Sequence, residues 1–288
     1  MELQLFKTLW GHKGTLSAAA DEAVLAGFVG LEGNADLSRE CRDELLGVLQ
    51  LRRLDYIQEI LTAGGYVPRR NDTVQDHIAD AYRQLQLGRA FEPRWVNIIG
   101  GCDAWSLEQS VRFLGETQEH AARMGIACSF ETHRSRSLFN PWNTLAILER
   151  LPDLRLTCDF SHWVVVMERQ LDEEWDIVRE VAKHAHHIHA RVGYEQGPQV
   201  PHPAAPEYLG ALVSHQRYWE EIWAVQRDRG YSFTTMTPEF GPDGYLQSRP
   251  FTGEPVADLW VINSWMGQNE YAHFHDWHSR TDTLQMYA

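Results

Sequence analysis

Cysteine is scarce in this 288-residue sequence, and the four present, Cys41, Cys102, Cys128 and Cys158, stand alone, with no Cys-x-x-Cys pair and no spacing typical of a disulfide-stapled domain. They read as reduced thiols of a cytoplasmic protein. Long hydrophobic runs are missing as well: the longest candidate, Val164-Val165-Val166-Met167, is far short of the roughly 18 apolar residues a membrane helix needs. Glu2 stands where a signal peptide requires basic residues, and no cleavage pattern follows, so no export is expected. Positive charge is also in deficit. With 26 Lys and Arg against 40 Asp and Glu, the net charge is −14, which disfavours nucleic acid and anionic membranes as partners because both are bound through clustered cations. No Gly-x-Gly-x-x-Gly turn follows an early strand pattern, and Trp10-Gly11-His12-Lys13-Gly14-Thr15 lacks P-loop spacing, so no nucleotide cofactor is expected.

Histidine, by contrast, is plentiful. Many of the 14 histidines fall beside acids, and imidazole with carboxylate is the donor set of divalent metals. No low-complexity tract, charge block or Pro/Gly/Ser linker divides the chain, which predicts one domain over 1–288 with a C-terminal tail from about 268. A chain of this length buries roughly three quarters of its unfolded surface, enough for a core without disulfides.

Short apolar or β-branched runs alternate with longer amphipathic stretches. The strand patterns are 4–9, 27–32, 56–60, 95–99, 126–131, 155–159, 186–190 and 232–237. Helical patterns fall at 17–25, 38–51, 74–86, 107–123, 142–150, 172–183 and 218–227, with a last one near 255–266. Ser106 with Gln109 predicts a capping box at the fourth helix, and Asp36 or Ser38 the start of the second. Eight strand-then-helix units with nearly continuous apolar strands predict an α/β fold, a single (β/α)8 TIM barrel; an open doubly wound sheet is the rival.

Barrel enzymes carry their chemistry at the C-terminal ends of strands. Here four successive strands end in acid or imidazole: Ser129-Phe130-Glu131-Thr132-His133, Thr157-Cys158-Asp159, His187-Ile188-His189-Ala190-Arg191 and Thr235-Met236-Thr237-Pro238-Glu239. Side chains alternate with period two, so Glu131, Asp159, His189 and Glu239 share the face of their strands that would be the barrel interior. A lone strand-end acid is more often a helix cap, and His187, deeper in its strand, reads as a hydrogen-bonded core residue. Four in a row point to one divalent ion, Mn²⁺, Zn²⁺, Co²⁺ or Mg²⁺. Without a cation, three such carboxylates would repel.

In order along the chain, Glu131 in Phe-Glu-Thr-His, Asp159 and His162 in Cys-Asp-Phe-Ser-His-Trp, His189 and Arg191 in His-Ile-His-Ala-Arg, and Glu239 in Thr-Pro-Glu-Phe resemble the xylose isomerase-like TIM-barrel superfamily. Within it, the sugar phosphate isomerase/epimerase group with its D-tagatose 3-epimerase-like enzymes is most similar. The resemblance is strongest over 126–242, about two fifths of the chain; earlier units match in strand rhythm alone. It implies that Glu131, Asp159, His189 and Glu239 ligate one metal, that Glu131 and Glu239 are the catalytic acid and base in an order left open, and that His162 and Arg191 contact substrate.

The implied reaction is isomerisation or epimerisation of a small carbohydrate by proton transfer through a metal-bound enediolate, with a lyase or dehydratase acting on a keto-sugar, inosose or glycoside as the alternative. A non-catalytic binding barrel is a third reading. The two-metal site of xylose isomerase proper expects an Asp-x-Asp pair where this chain has Arg191-Val192-Gly193-Tyr194-Glu195. An endonuclease IV-like phosphodiesterase expects further histidines where the third and fourth strands end in Glu59 and Gly100-Gly101-Cys102-Asp103.

Several weaker expectations follow. Trp10, His12 and Trp105 would wall the pocket, Glu32 would bind a hydroxyl or a loop cation, and His133 and Arg136 would reach a distal part of the substrate. The Pro-rich segment 193–210 is expected as a lid, and the histidine-rich tail at 271–278 as a docking or subunit contact. Assembly into a homo-oligomer is left open.

Overall fold

Eight parallel strands close into a barrel in chain order: β1 (Glu2–Thr8), β2 (Gly30–Asn34), β3 (Asp55–Leu61), β4 (Trp95–Ile99), β5 (Cys128–Glu131), β6 (Leu156–Cys158), β7 (Ala185–His189) and β8 (Phe233–Thr237). The computed structural model describes residues 1–242 and 244–286, with side chains as far as Thr281. Helices α1 (Leu16–Leu25), α2 (Arg39–Arg52), α3 (Val74–Gly88), α4 (Leu107–Arg123), α5 (Pro141–Arg150), α6 (Ser161–Met167), α7 (Trp175–Ala182), α8 (Leu209–Asp228) and α9 (Leu259–Met286) follow the strands. No helix among the described residues is long and apolar enough to cross a membrane.

The helix starts are chemical. Ser106 and Gln109 form the expected capping box of α4, Thr73 and Asp76 form another at α3, and Ser38 rather than Asp36 caps α2. β2 and β5 begin well after the start of their apolar runs because the chain leaves the preceding helix through a left-handed glycine, Gly27 (φ +78°) or Gly125 (φ +70°), before it joins the sheet. The short α6 was not expected from its Val164-Val165-Val166 run. It is held by burial of Trp163, Val164 and Met167, which overrides the weak helix preference of β-branched residues. α8 begins nine residues earlier than its apolar pattern, because the inner face of its first turns carries the polar His215.

Two apolar regions form the core. The larger lies between sheet and helices. The smaller, Phe6, Ile57 and Trp95, plugs the barrel's interior; Phe6 on β1 and Trp95 on β4 pack with ring centroids 5.8 Å apart, a contact that has to cross the barrel. The polar residues of the site lie above this plug.

The expected tail from 268 is the second half of α9 instead. Phe274 and Trp277 are buried against Trp223 of α8. Glu270 is buried between the same helices and accepts hydrogen bonds from Gln216 (2.8 Å) and Asn269 (2.9 Å). Burial pushes its carboxyl from 4.5 up to about 7. The native protein therefore holds a proton that the unfolded chain releases near 4.5, so stability is lost as pH rises between these values, by up to about 3 kcal/mol. Glu270→Gln is expected to be close to neutral at pH 5 and stabilising by about 2 kcal/mol at pH 8 in urea unfolding. An equal effect at both pH values would contradict this.

Candidate active site

The residues that end β5 to β8 meet inside the top of the barrel. Glu131 closes β5, Asp159 follows β6, His189 closes β7, and Glu239 lies two residues beyond β8. One ligand-capable atom from each lies within 4.8 Å of the other three, and all four side chains are buried. His189 Nδ1 is 3.0 Å from Glu239 Oε2 and 3.3 Å from Glu131 Oε2, yet out of line for a hydrogen bond with either. Glu131 Oε1 has no hydrogen-bond partner, while Oε2 accepts from Asn97 Nδ2 at 2.7 Å.

Crowded acids show the expected strain. Burial lifts Glu131 to about 7 against the pull of His189, and it raises Asp159 against the pull of Arg191. Burial alone would depress His189, but the carboxylates of Glu239, Glu32 and Glu131 reverse this and hold it well above an ordinary histidine. Unpartnered buried ligand atoms and carboxylates lacking enough counter-charge are what a divalent cation would resolve, so the donor set fits one such ion.

Arg191 is the fixed charge at the edge of this group. It is buried, donates through Nη2 to Asp159 and to His162 Nε2 (2.8 Å), through Nε to Ser161 Oγ (3.1 Å), and through Nη1 to the Glu239 carbonyl (3.3 Å). Ser161 in turn holds Asp159 Oδ1 through its backbone N–H (3.0 Å) and its hydroxyl (2.5 Å), an arrangement supplied by the first turn of α6. Since His162 Nε2 accepts from arginine, its hydrogen is on Nδ1. Burial, with His133 and Arg191 beside it, keeps the ring neutral. The His133 ring packs against it at a tilt of 44°, with 3.9 Å between ring centroids.

Above these residues is a cavity of only about 10 Å³, the space of about one water. Its roof is aromatic: Trp10 packs on Tyr245 (4.8 Å) and Tyr66 (5.4 Å), and Arg191 lies 4.7 Å beneath the Tyr245 ring. Gly241 is required here, because a Cβ at that position would fall 1.9 Å from the Trp10 ring.

Other sequence expectations are corrected. His12 is not brought to the cavity: Gly11 (φ +77°) turns the chain, and the His12 ring bonds the Thr15 carbonyl (3.1 Å) and faces Glu22 (3.5 Å), lining a separate cavity of about 560 Å³. Arg136 does not line this cavity; it is buried and donates to the carbonyls of Thr62 (2.9 Å), Tyr66 (3.1 Å) and Gly65, pinning the loop after β3. Trp105 packs on His77 and Phe113. Segment 193–210 is anchored where it was expected to move, with Gln199 hydrogen-bonded both ways to Gly241 and Val200 N–H donating to Val192 (2.9 Å). Tyr245, on the loop after β8, covers the site in its place. Glu32 neither lines the cavity, where a substrate hydroxyl would be, nor pairs with a loop cation; it is wholly buried beneath His189.

Sequence reasoning missed Glu59 as a member of the site. It lines the same cavity from β3, is 8% exposed, and its carboxyl has neither hydrogen bond nor ion pair among the described residues. Burial, then Glu239 and Glu131, raises its carboxyl well above the usual range. Its position at a strand end, like that of Glu131, was the available signal.

No family model matches the chain, and no curated protein matches it. Solved structures do. An L-ribulose 3-epimerase aligns over 99% of this chain and 98% of its own, at 14% identity and a TM-score of 0.67. A xylose isomerase-like TIM barrel protein from Mycobacterium smegmatis, solved with magnesium, aligns over 83% and 91% at 15% identity (TM-score 0.59). A probable 3-DHS dehydratase from Bacillus anthracis aligns over 92% and 97% at 14% (TM-score 0.54). At such identities the likeness shows the fold, a (β/α)8 barrel shared with these proteins.

Proposed function

We propose that this chain is a divalent-metal-dependent isomerase or epimerase of a small sugar, keto-sugar or polyol derivative, working by proton transfer through an enediolate. The observation that carries this is the convergence of Glu131, Asp159, His189 and Glu239 on one buried point, with ligand atoms left unpartnered. A divalent ion held there would polarise a ketose carbonyl and acidify the neighbouring C–H.

The protein's own groups supply the rest. Glu131 and Glu239 approach from different strands, so one carboxylate removes a proton and the other returns it; return to the opposite face epimerises, and return to the adjacent carbon isomerises. Arg191, always charged, lines the cavity and stabilises the developing oxyanion, at about 3 kcal/mol per positioned donor, while the neutral His162 accepts from it at Nε2 and holds it in place. Glu59 is the carboxyl left to take a substrate hydroxyl. A sugar cannot enter a cavity of about 10 Å³, so Tyr66 and Tyr245 must swing away on binding, and their return excludes water from the enediolate.

Glu59 also favours a second reading. A carboxyl in the cavity whose hold on its proton is strengthened by burial and by neighbouring acids is suited to protonating a β-leaving group, which would make the enzyme a lyase or dehydratase.

Removing the metal tests the reading. Protein stripped with a chelator and screened against ketoses, keto-glycosides and inososes is expected to be inactive, and Mn²⁺, Co²⁺, Zn²⁺ or Mg²⁺ to restore turnover of at least one substrate by about 10²-fold or more. Turnover that survives stripping would overturn it.

A further inference from the structure

One buried cluster lies beneath the site and meets it at His189. Glu32 on β2, His187 and His189 on β7, and Thr235 and Thr237 on β8 are all shut off from solvent inside the barrel. Glu32 Oε1 is 3.0 Å from His189 Nε2, and Oε2 is 3.2 Å from His187 Nε2 and also accepts from the Thr237 hydroxyl. His187 is fixed at its other nitrogen by Thr235 Oγ1 (2.9 Å) and rests on the apolar plug, with Trp95 at 5.3 Å and Phe6 at 6.3 Å between ring centroids.

The geometry has one consequence for His189. A carboxylate only accepts, so the His189 Nε2 hydrogen is committed to Glu32 and Nδ1 is the nitrogen that faces Glu131, Asp159 and Glu239. The ring's freedom to flip or tilt is removed from below by a carboxylate that is itself tied down by His187 and Thr237. We propose that Glu32 is the positioning residue of the metal site, setting which nitrogen of His189 is presented to the ion and at what angle, and that His187 and Thr237 act through it. The inference rests on the metal reading above but concerns a residue outside the ligand set.

The test is metal binding, with no substrate required. On chelator-stripped protein, calorimetry with Mn²⁺ is expected to give one ion per chain, and Glu32→Gln to weaken the Kd about 10- to 100-fold, the usual effect of losing such a partner. The Gln amide can accept from only one histidine and turns its NH₂ toward another donor. The visible absorption of the Co²⁺-loaded variant is expected to shift in position or intensity, because the angle of His189 changes; a merely structural role would leave that spectrum alone. Thr237→Val, which loosens Glu32 and keeps its charge, is expected to show the same change at a few-fold loss in affinity, and it decides the matter if Glu32→Gln does not fold. Wild-type affinity and spectrum in the folded variants would overturn the proposal while leaving the metal site standing. Two ions per chain would make Glu32, His187 and His189 a metal site of their own and likewise overturn it. If wild type binds no Mn²⁺, Co²⁺ or Zn²⁺, the metal reading falls and the proposal with it.

Discussion

Glu239→Gln is expected to leave the barrel folded and to lower metal-dependent turnover by about 10³-fold or more. The substitution keeps the size of a side chain that is 4% exposed and changes its charge alone. Glu239 Oε2 sits 3.0 Å from His189 Nδ1 and 3.4 Å from Arg191 Nη2, so the lost charge is taken from the centre of the ligand group. Two effects add: loss of one general acid or base, worth 10² to 10⁴, and a weaker hold on the ion. Metal-free stability should change little, since the variant relieves repulsion that Glu239 exerts on Glu131 and Glu59 and gives up its attraction to His189 and Arg191. Circular dichroism and thermal melting check the fold. A folded variant with full metal-dependent activity would remove Glu239 from the mechanism.

Arg191→Met carries the second large effect, and it divides between stability and rate. Arg191 is the guanidinium that answers Asp159, and both are buried. Truncating one partner of a buried pair leaves the other uncompensated and costs about 3–5 kcal/mol. The loss is expected in full for metal-free protein in urea unfolding, and in part when saturating Mn²⁺ supplies the missing positive charge. Turnover of the metal-loaded variant should fall about 10²- to 10³-fold, because the oxyanion loses its charged donor. Arg191→Lys restores the charge and not the fork that reaches Ser161, His162, Asp159 and the Glu239 carbonyl, so it should recover stability better than rate. An Arg191→Met protein as stable without metal as wild type would contradict this pairing.

The barrel was legible because its signal is local. Each strand is a short apolar run, α1 to α5 each start on a side-chain cap, and period two tells which strand-end residues look inward; Glu131, Asp159, His189 and Glu239 all follow from that rule. What stayed hidden depends on contacts distant in sequence or on loop paths. Glu32 is read only against His187 and His189, more than 150 residues away. Arg136 looks like a substrate contact until its guanidinium is seen folded back onto carbonyls of the loop after β3. His12 follows a glycine whose positive φ turns the chain in a direction no periodicity records. Tyr245 caps the site from a loop, where neither apolar spacing nor alternation applies.

The most direct measurement is solvent exchange followed by NMR in D₂O, with metal-reconstituted enzyme and its active ketose. One deuterium on the carbon next to the carbonyl, appearing only with the divalent ion present and lost in Glu239→Gln, is the expected result. Turnover with no solvent deuterium in substrate or product, or the same exchange in chelator-stripped protein, would contradict metal-dependent proton transfer at Glu131, Asp159, His189 and Glu239.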